Sequence, residues 1–160
     1  MREMEIRKVT QSDVKELAIL MNQLGYPTSL NEMKLRMAQI DSTPDYLTLV
    51  AEVKGKVAGM VGLTKGYYYE MDGCYVRIVA LVVNSAFRNM GIGHELVSEA
   101  ERWARHIGAK GIGLNSGNRE ERLKAHAFYR RRGYVAKSTG FAKNLNSNGQ
   151  KEATHDSFQK

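Results

Sequence analysis

Residues 78–83 read Ile-Val-Ala-Leu-Val-Val, six in a row without a charge or a breaker, and the chain then runs through Arg88-Asn89-Met90-Gly91-Ile92-Gly93 into an amphipathic stretch. Ile92, Leu96, Val97, Ala100, Trp103, Ala104 and Ile107 recur at helical spacing, while Glu95, Glu99, Arg102 and Arg105 fall on the opposite side. A buried strand therefore feeds a helix through a turn that contains two glycines. The first amides of such a helix lack intrahelical partners and carry the positive end of its dipole, so anions collect there. Gly91 and Gly93 would let main chain approach a phosphate with no Cβ in the way, and Arg88 would add a full charge. A tight turn with no ligand needs the same glycines, so this segment alone does not decide between the two.

Upstream, periodicity predicts a short strand at 5–9 and a helix from about Thr10 to Gly25, with Thr10 or Ser12 as its cap. A second helix follows at 29–40, where Ser29 and Glu32 have capping-box spacing. Residues 46–53 and 57–70 read as strands paired across Lys54-Gly55-Lys56, and Asp72-Gly73 as the turn before strand 74–83. Beyond Gly108 come a short buried strand at 111–116, a basic helix ending at Gly133, and one or two closing strands within 134–145. The expected organisation is one domain over residues 1–145 and a polar, aperiodic tail over 146–160.

Composition removes several function classes. No stretch approaches the roughly 20 apolar residues of a membrane span, and the first residues lack the apolar core of a secretory signal. A single cysteine, Cys74, excludes an internal disulfide, and the expected location is the cytoplasm. A net charge of +7 calls for an anionic partner. Seven basic residues (Arg119, Arg122, Lys124, Arg130, Arg131, Arg132, Lys137) oppose two acids, Glu120 and Glu121, between 119 and 137. A run of this kind is either a solvated face or a phosphate grip. Nucleic acid is not the expected partner, because Phe128-Tyr129 is the one aromatic pair among these basic residues and no recognised binding motif is present. A P-loop would need Lys-Ser/Thr after Gly93, where His94 stands, and a dinucleotide fingerprint would need a third glycine at Leu96.

Two motifs carry a resemblance. Residues 88–93 match the [Q/R]-x-x-G-x-[G/A] signature of the GNAT superfamily of N-acetyltransferases, after the apolar strand where that family has it. "RLKAHAFYRRRGY", residues 122–134, resembles the family's second motif, a helix ending in F-Y-x-x-x-G-[F/Y]. The resemblance spans roughly residues 5–145. It implies an α/β (α+β) fold with a mixed, mostly antiparallel central sheet flanked by helices, strands 4 and 5 splaying apart to admit acetyl-CoA. It places the pyrophosphate on main-chain amides of Asn89, Gly91, Ile92, Gly93 and His94, and the pantetheine arm beside Leu81 and Val83 through backbone groups. The family often has a pantetheine-contacting asparagine where this chain has Leu123, so Asn118 or Arg122 is the expected substitute.

The implied activity is direct acetyl transfer from acetyl-CoA, used as cosubstrate without a metal, to a primary amine of a small molecule or peptide. Tyr129, at the family's thiol-facing position, is the expected acid for the departing thiolate. On the basic helix Arg122, Ala125, His126 and Tyr129 share one face, with Leu123, Ala127 and Phe128 turned toward the core. Glu70 is the chosen base, with Asp72, Glu52 and His126 as alternatives. Cys74 is read as core, which disfavours an acyl-cysteine route. Met33 and Met37 suggest either an adaptable lid over the acceptor or core packing, and an edge strand near Phe141 leaves a homodimer open. A catalytically silent CoA-binding sensor and a basic nucleic-acid-binding domain are the alternatives.

Overall fold

The computed structural model describes residues 3–116 and 123–146. Strands β1 (Met4–Lys8), β2 (Tyr46–Val53), β3 (Lys56–Tyr67), β4 (Cys74–Val83) and β5 (Gly111–Gly113) form one sheet in the order β1-β2-β3-β4-β5. The first three pairings are antiparallel. β5 starts beside the start of β4, where the Lys110 N–H donates to the Cys74 carbonyl at 2.8 Å. It therefore enters parallel, and helix α3 (Ile92–His106) is the crossover. The sheet is mixed and mostly antiparallel, flanked by helices. The chain divides into two compact units, Met1–Ile112 and Gly113–Lys160.

Local chemistry explains the element ends. Ser29 accepts from the Glu32 N–H at 3.1 Å while the Glu32 carboxylate accepts from the Ser29 N–H at 2.8 Å, a completed capping box for α2 (Leu30–Asp41). Thr10 caps a single 3₁₀ turn, Gln11–Asp13, that leads into α1 (Val14–Leu24), and Gly25 ends α1 in the left-handed region at φ 107°. Lys54 and Gly55, at φ 50° and 79°, close the β2–β3 hairpin with the two-residue turn whose twist matches its strands.

The two faces of the sheet are covered separately. Leu17, Leu20, Met33 and Met37 pack with Val50, Val57, Met60 and Val82 beneath α1 and α2. Ile92 and Leu96 of α3 approach Gly59 so closely that a Cβ there would lie 3.2 and 3.3 Å from them, which assigns Gly59, Val61 and Leu63 to the opposite face, beyond the register shift that leaves Val57 with Met60. Met33 and Met37 are each only 3% exposed, so they are core and not a lid. Cys74 is buried as well.

At the edge of the α1/α2 face an ion cluster ties three elements. Arg7 reaches Asp13 through two bonds of 2.8 and 2.9 Å and Glu52 through a third of 2.8 Å. The Arg7 hydrogen bonds hold the Asp13 carboxyl below its usual range, against the burial that pushes it up, and Asp13 in turn raises Arg7.

Several expectations are corrected. β3 ends at Tyr67, so Tyr68 and Tyr69 belong to the six-residue connection 68–73. β5 is three residues long and half-buried to exposed, because two of its three residues are glycines with no side chain to pack. No strand follows the basic helix among the described residues. Lys137, Thr139 and Lys143 interrupt the alternate positions that Val135, Phe141 and Leu145 would need for an apolar face, and Phe141 is 94% exposed. No edge strand exists there to build a dimer.

In the second unit, α4 (Leu123–Arg131) ends before Gly133 at φ 89°. Leu123 is 55% exposed and Ala127 is exposed, whereas Ala125, His126, Phe128 and Tyr129 are half-buried. The face predicted to meet the core is thus wrong at Leu123 and Ala127, while Phe128 is half-buried like Tyr129. The Arg132 guanidinium lies 3.6 Å over the Phe128 ring and donates to the Phe128 carbonyl at 2.8 Å, which holds that side of the helix.

Candidate active site

The β3–β4 ladder carries the feature that matters most. Gly62 pairs with Ala80 but Leu63 pairs with Ile78, so Val79 is an extra residue on β4. A bulge of this kind exchanges the faces of the strand. Before it, Cys74, Val76 and Ile78 point to the α3 side; after it, Ala80 and Val82 point to the α1/α2 side. The unbroken apolar run hides this reversal completely.

Main-chain polarity above the bulge follows from register. The Asn84 N–H donates to the Ala58 carbonyl at 2.8 Å, continuing the pairing of Val83 with Gly59, Val82 with Met60 and Leu81 with Val61. Hydrogen-bonded pairs alternate in an antiparallel ladder, so Ala80 and Val82 face β3 with their polar groups. Leu81 and Val83 direct theirs away from β3. These are the two residues expected to meet an extended arm, and β4 offers there the acceptor and donor row that a strand-like ligand needs.

The strand then turns into α3 through a well-braced junction. The Asn84 side chain accepts from the Ala86 N–H at 2.9 Å and from the Gln23 amide at 3.3 Å, while the Gln23 oxygen accepts from the Ser85 N–H at 2.8 Å. Gln23 belongs to α1, so the loop is held from the neighbouring helix, a link that sequence pattern alone does not expose. Arg88 is exposed and extended. Asn89 and Gly91 both lie in the left-handed region, at φ 65° and 77°. Gly91 is the N-cap of α3 and no side chain caps that end; its carbonyl accepts the first helical bond, from the Glu95 N–H at 3.0 Å.

Among the described residues, a Cβ at Gly91 would meet nothing within 4 Å. Space beside this glycine is open, and the amides that follow it open the helix. Ile92 buries its side chain while Gly93 and His94 occupy the first turn of α3. Beyond β5, the Ser116 hydroxyl is shut from solvent with no hydrogen-bond partner among the described residues. Nothing in the sequence marked Ser116.

The remaining candidates divide. Glu70 and Asp72 are exposed on the β3–β4 connection. Glu52 is claimed by Arg7 at 2.8 Å and is no free base. Tyr129 packs its ring edge-on to Phe128 and Tyr134, at centroid distances of 5.2 and 5.8 Å. Asn118, Arg119 and Arg122 lie outside the described residues. Among the described residues no group of three or more His, Cys, Asp or Glu is placed to hold a metal, and no helix is long and apolar enough to cross a membrane.

A half-used strand edge that runs into a glycine-turned helix start suits an extended, phosphate-bearing ligand. The model of the Acetyltransferase (GNAT) family matches residues 13–134, and the chain belongs to that family. The aminoalkylphosphonate N-acetyltransferase of Salmonella typhimurium LT2 is 28% identical over 146 residues, covering 88% of this chain and 91% of the relative. A GNAT family acetyltransferase of Staphylococcus aureus subsp. aureus USA300_TCH1516 is 34% identical, with a TM-score of 0.78 over 90% of this chain and 100% of that one. An aminoglycoside N-acetyltransferase solved in complex with CoA shares the fold at 17% identity, with a TM-score of 0.74 over 89% and 95% of the two chains.

Proposed function

We propose that this chain is an N-acetyltransferase that uses acetyl-CoA and passes the acetyl group directly to a primary amine of a small molecule or peptide. The observation that carries it is the continuity of β4 with the Gly91 turn: outward main-chain groups at Leu81 and Val83, then open space beside a left-handed glycine at the start of α3.

Those residues fit the ligand by chemistry. Leu81 and Val83 would hold the pantetheine amides, and the main chain of Asn89, Gly91, Ile92, Gly93 and His94, with the Arg88 charge, would hold the pyrophosphate. Asn118 and Arg122 are assigned to the arm by resemblance. Acetyl-CoA supplies an acyl group that is already activated as a thioester, so the protein must mainly align an amine and manage protons. A lysine-like amine has a pKa of about 10.4, leaving on the order of one molecule in a thousand neutral at pH 7. Glu70, or water ordered by it, is the proposed acceptor of that proton. Tyr129 is the proposed donor to the departing sulfur. Cys74 is buried under α3 and takes no part, consistent with direct transfer.

The Salmonella relative is named for aminoalkylphosphonates, so amines that carry an anionic group head the acceptor panel. The deciding experiment is calorimetry with acetyl-CoA followed by an amine screen with free-thiol detection. Micromolar binding and thiol release on adding an amine support the proposal. Absence of both heat and thermal stabilisation by acetyl-CoA would overturn it. Tyr129→Phe should lower kcat by about tenfold or more with acetyl-CoA affinity retained, and an unchanged kcat removes Tyr129 from the acid role.

A further inference from the structure

The bulge at Val79 also determines what stands before it. Arg77 pairs with Thr64, and Tyr75 pairs with Gly66, on the face of the sheet that α1 and α2 cover further along. The Tyr75 ring lies so close over Gly66 that a Cβ there would come within 2.4 Å of it, which confirms the shared face. Thr64, Gly66, Tyr75 and Arg77 are all half-buried, whereas Val50, Met60 and Val82 of the same face are buried under the two helices. The helices therefore leave this end of the face partly open, with the Tyr75 ring lying over Gly66.

Arg77 makes no hydrogen bond or ion pair among the described residues. A half-buried guanidinium without an anion is costly to keep. The same face shows how this fold treats a structural arginine: Arg7 is saturated by Asp13 and Glu52 at 2.8 to 2.9 Å. The acids on this face of the strands, Glu5 and Glu52, stand on β1 and β2, across β3 from Arg77.

Resting on the acetyltransferase proposal, we propose that Arg77 receives the anionic group of a small amine acceptor, a carboxylate or phosphonate separated from the amine by a short carbon chain. Its forked donors match either anion in two-point fashion. Arg77 precedes the bulge by two residues, about 7 Å of strand, and the outward main-chain groups at Leu81 and Val83 follow it. An acceptor anchored at Arg77 thus extends along β4 toward the position proposed for the acyl group, and the Thr64 hydroxyl stands on the neighbouring strand.

The test compares 2-aminoethylphosphonate and β-alanine with propylamine and ethanolamine, on wild type, Arg77→Ala and Arg77→Lys, each checked by thermal melt. Wild type should favour the anionic amines in kcat/KM, and Arg77→Ala should cut the ratio of anionic to neutral kcat/KM by on the order of 10- to 100-fold. Arg77→Lys should recover part of it, as charge without the fork. Calorimetric titration of 2-aminoethylphosphonate onto the CoA-loaded proteins should lose its heat in Arg77→Ala. A wild type indifferent to acceptor charge, or a ratio unmoved by Arg77→Ala, refutes this role while acetyl-CoA binding leaves the broader proposal standing. Failure to bind acetyl-CoA at all takes down both.

Discussion

Gly91 serves two purposes that substitution can separate. Its φ of 77° costs a residue with a Cβ roughly 1–2 kcal/mol, yet no described residue stands within 4 Å of that Cβ. Gly91→Ala should therefore fold, with a melting temperature lower by about 2–8 °C for a chain of this size. Gly91→Asn should lose less, since asparagine tolerates the left-handed region. If the glycine is there only for the turn, Asn should retain acetyl-CoA binding and Ala should weaken it in proportion to strain. If main chain must approach a pyrophosphate, the added side chain obstructs in both, and both should lose at least about tenfold in Kd, some 1.4 kcal/mol. Calorimetry on the two variants, alongside melts, reads the difference. Wild-type affinity in Gly91→Asn would refute the cradle and leave residues 88–93 as a turn.

Asp13→Asn should destabilise at neutral pH and flatten the acid limb of the stability profile. Because the folded Asp13 carboxyl lies below its unfolded value of about 3.9, its contribution is complete above that pH and fades as pH falls through the folded value; an identical acid limb in wild type and variant would contradict this. Gly59→Ala should cost about 1–3 kcal/mol by denaturant melt, because the Cβ would sit 2.9 Å from the Val82 carbonyl oxygen, a backbone atom that cannot turn aside, with Ile92 and Leu96 close behind. Gln23→Leu should weaken acetyl-CoA binding a few-fold with the melt little changed, since its two bonds are exposed and brace only the loop after β4. An equal loss of stability and no loss of affinity would make Gln23 merely structural.

What sequence could and could not show follows from the range of each determinant. Capping at Ser29, termination at Gly25 and Gly108, the Lys54-Gly55 turn and the amphipathic α3 are set by neighbours within a few residues, and all are found as expected. The turn into α3 is equally local, and a left-handed Gly91 stands at its start. The failures are residues whose role depends on a partner far along the chain. Glu52 looked available as a base until Arg7, 45 residues away, is placed beside it. Met33 and Met37 allowed either a lid or core packing, and contact with β2 and β3 decides for the core.

The bulge at Val79 is the sharpest case, because nothing in Ile-Val-Ala-Leu-Val-Val distinguishes a flat strand from one that reverses its faces midway. Its consequence joins the two proposals. Without the extra residue, alternation running straight through β4 would keep Arg77 on the same face as Leu81 and Val83, toward α3, and bury its charge. With it, Leu81 and Val83 turn their side chains to α3 while Arg77 points to the half-open side. Under the two proposals, one inserted residue lets a single strand offer main chain to one ligand and a side-chain cation to another, an arrangement that suits a two-substrate transfer.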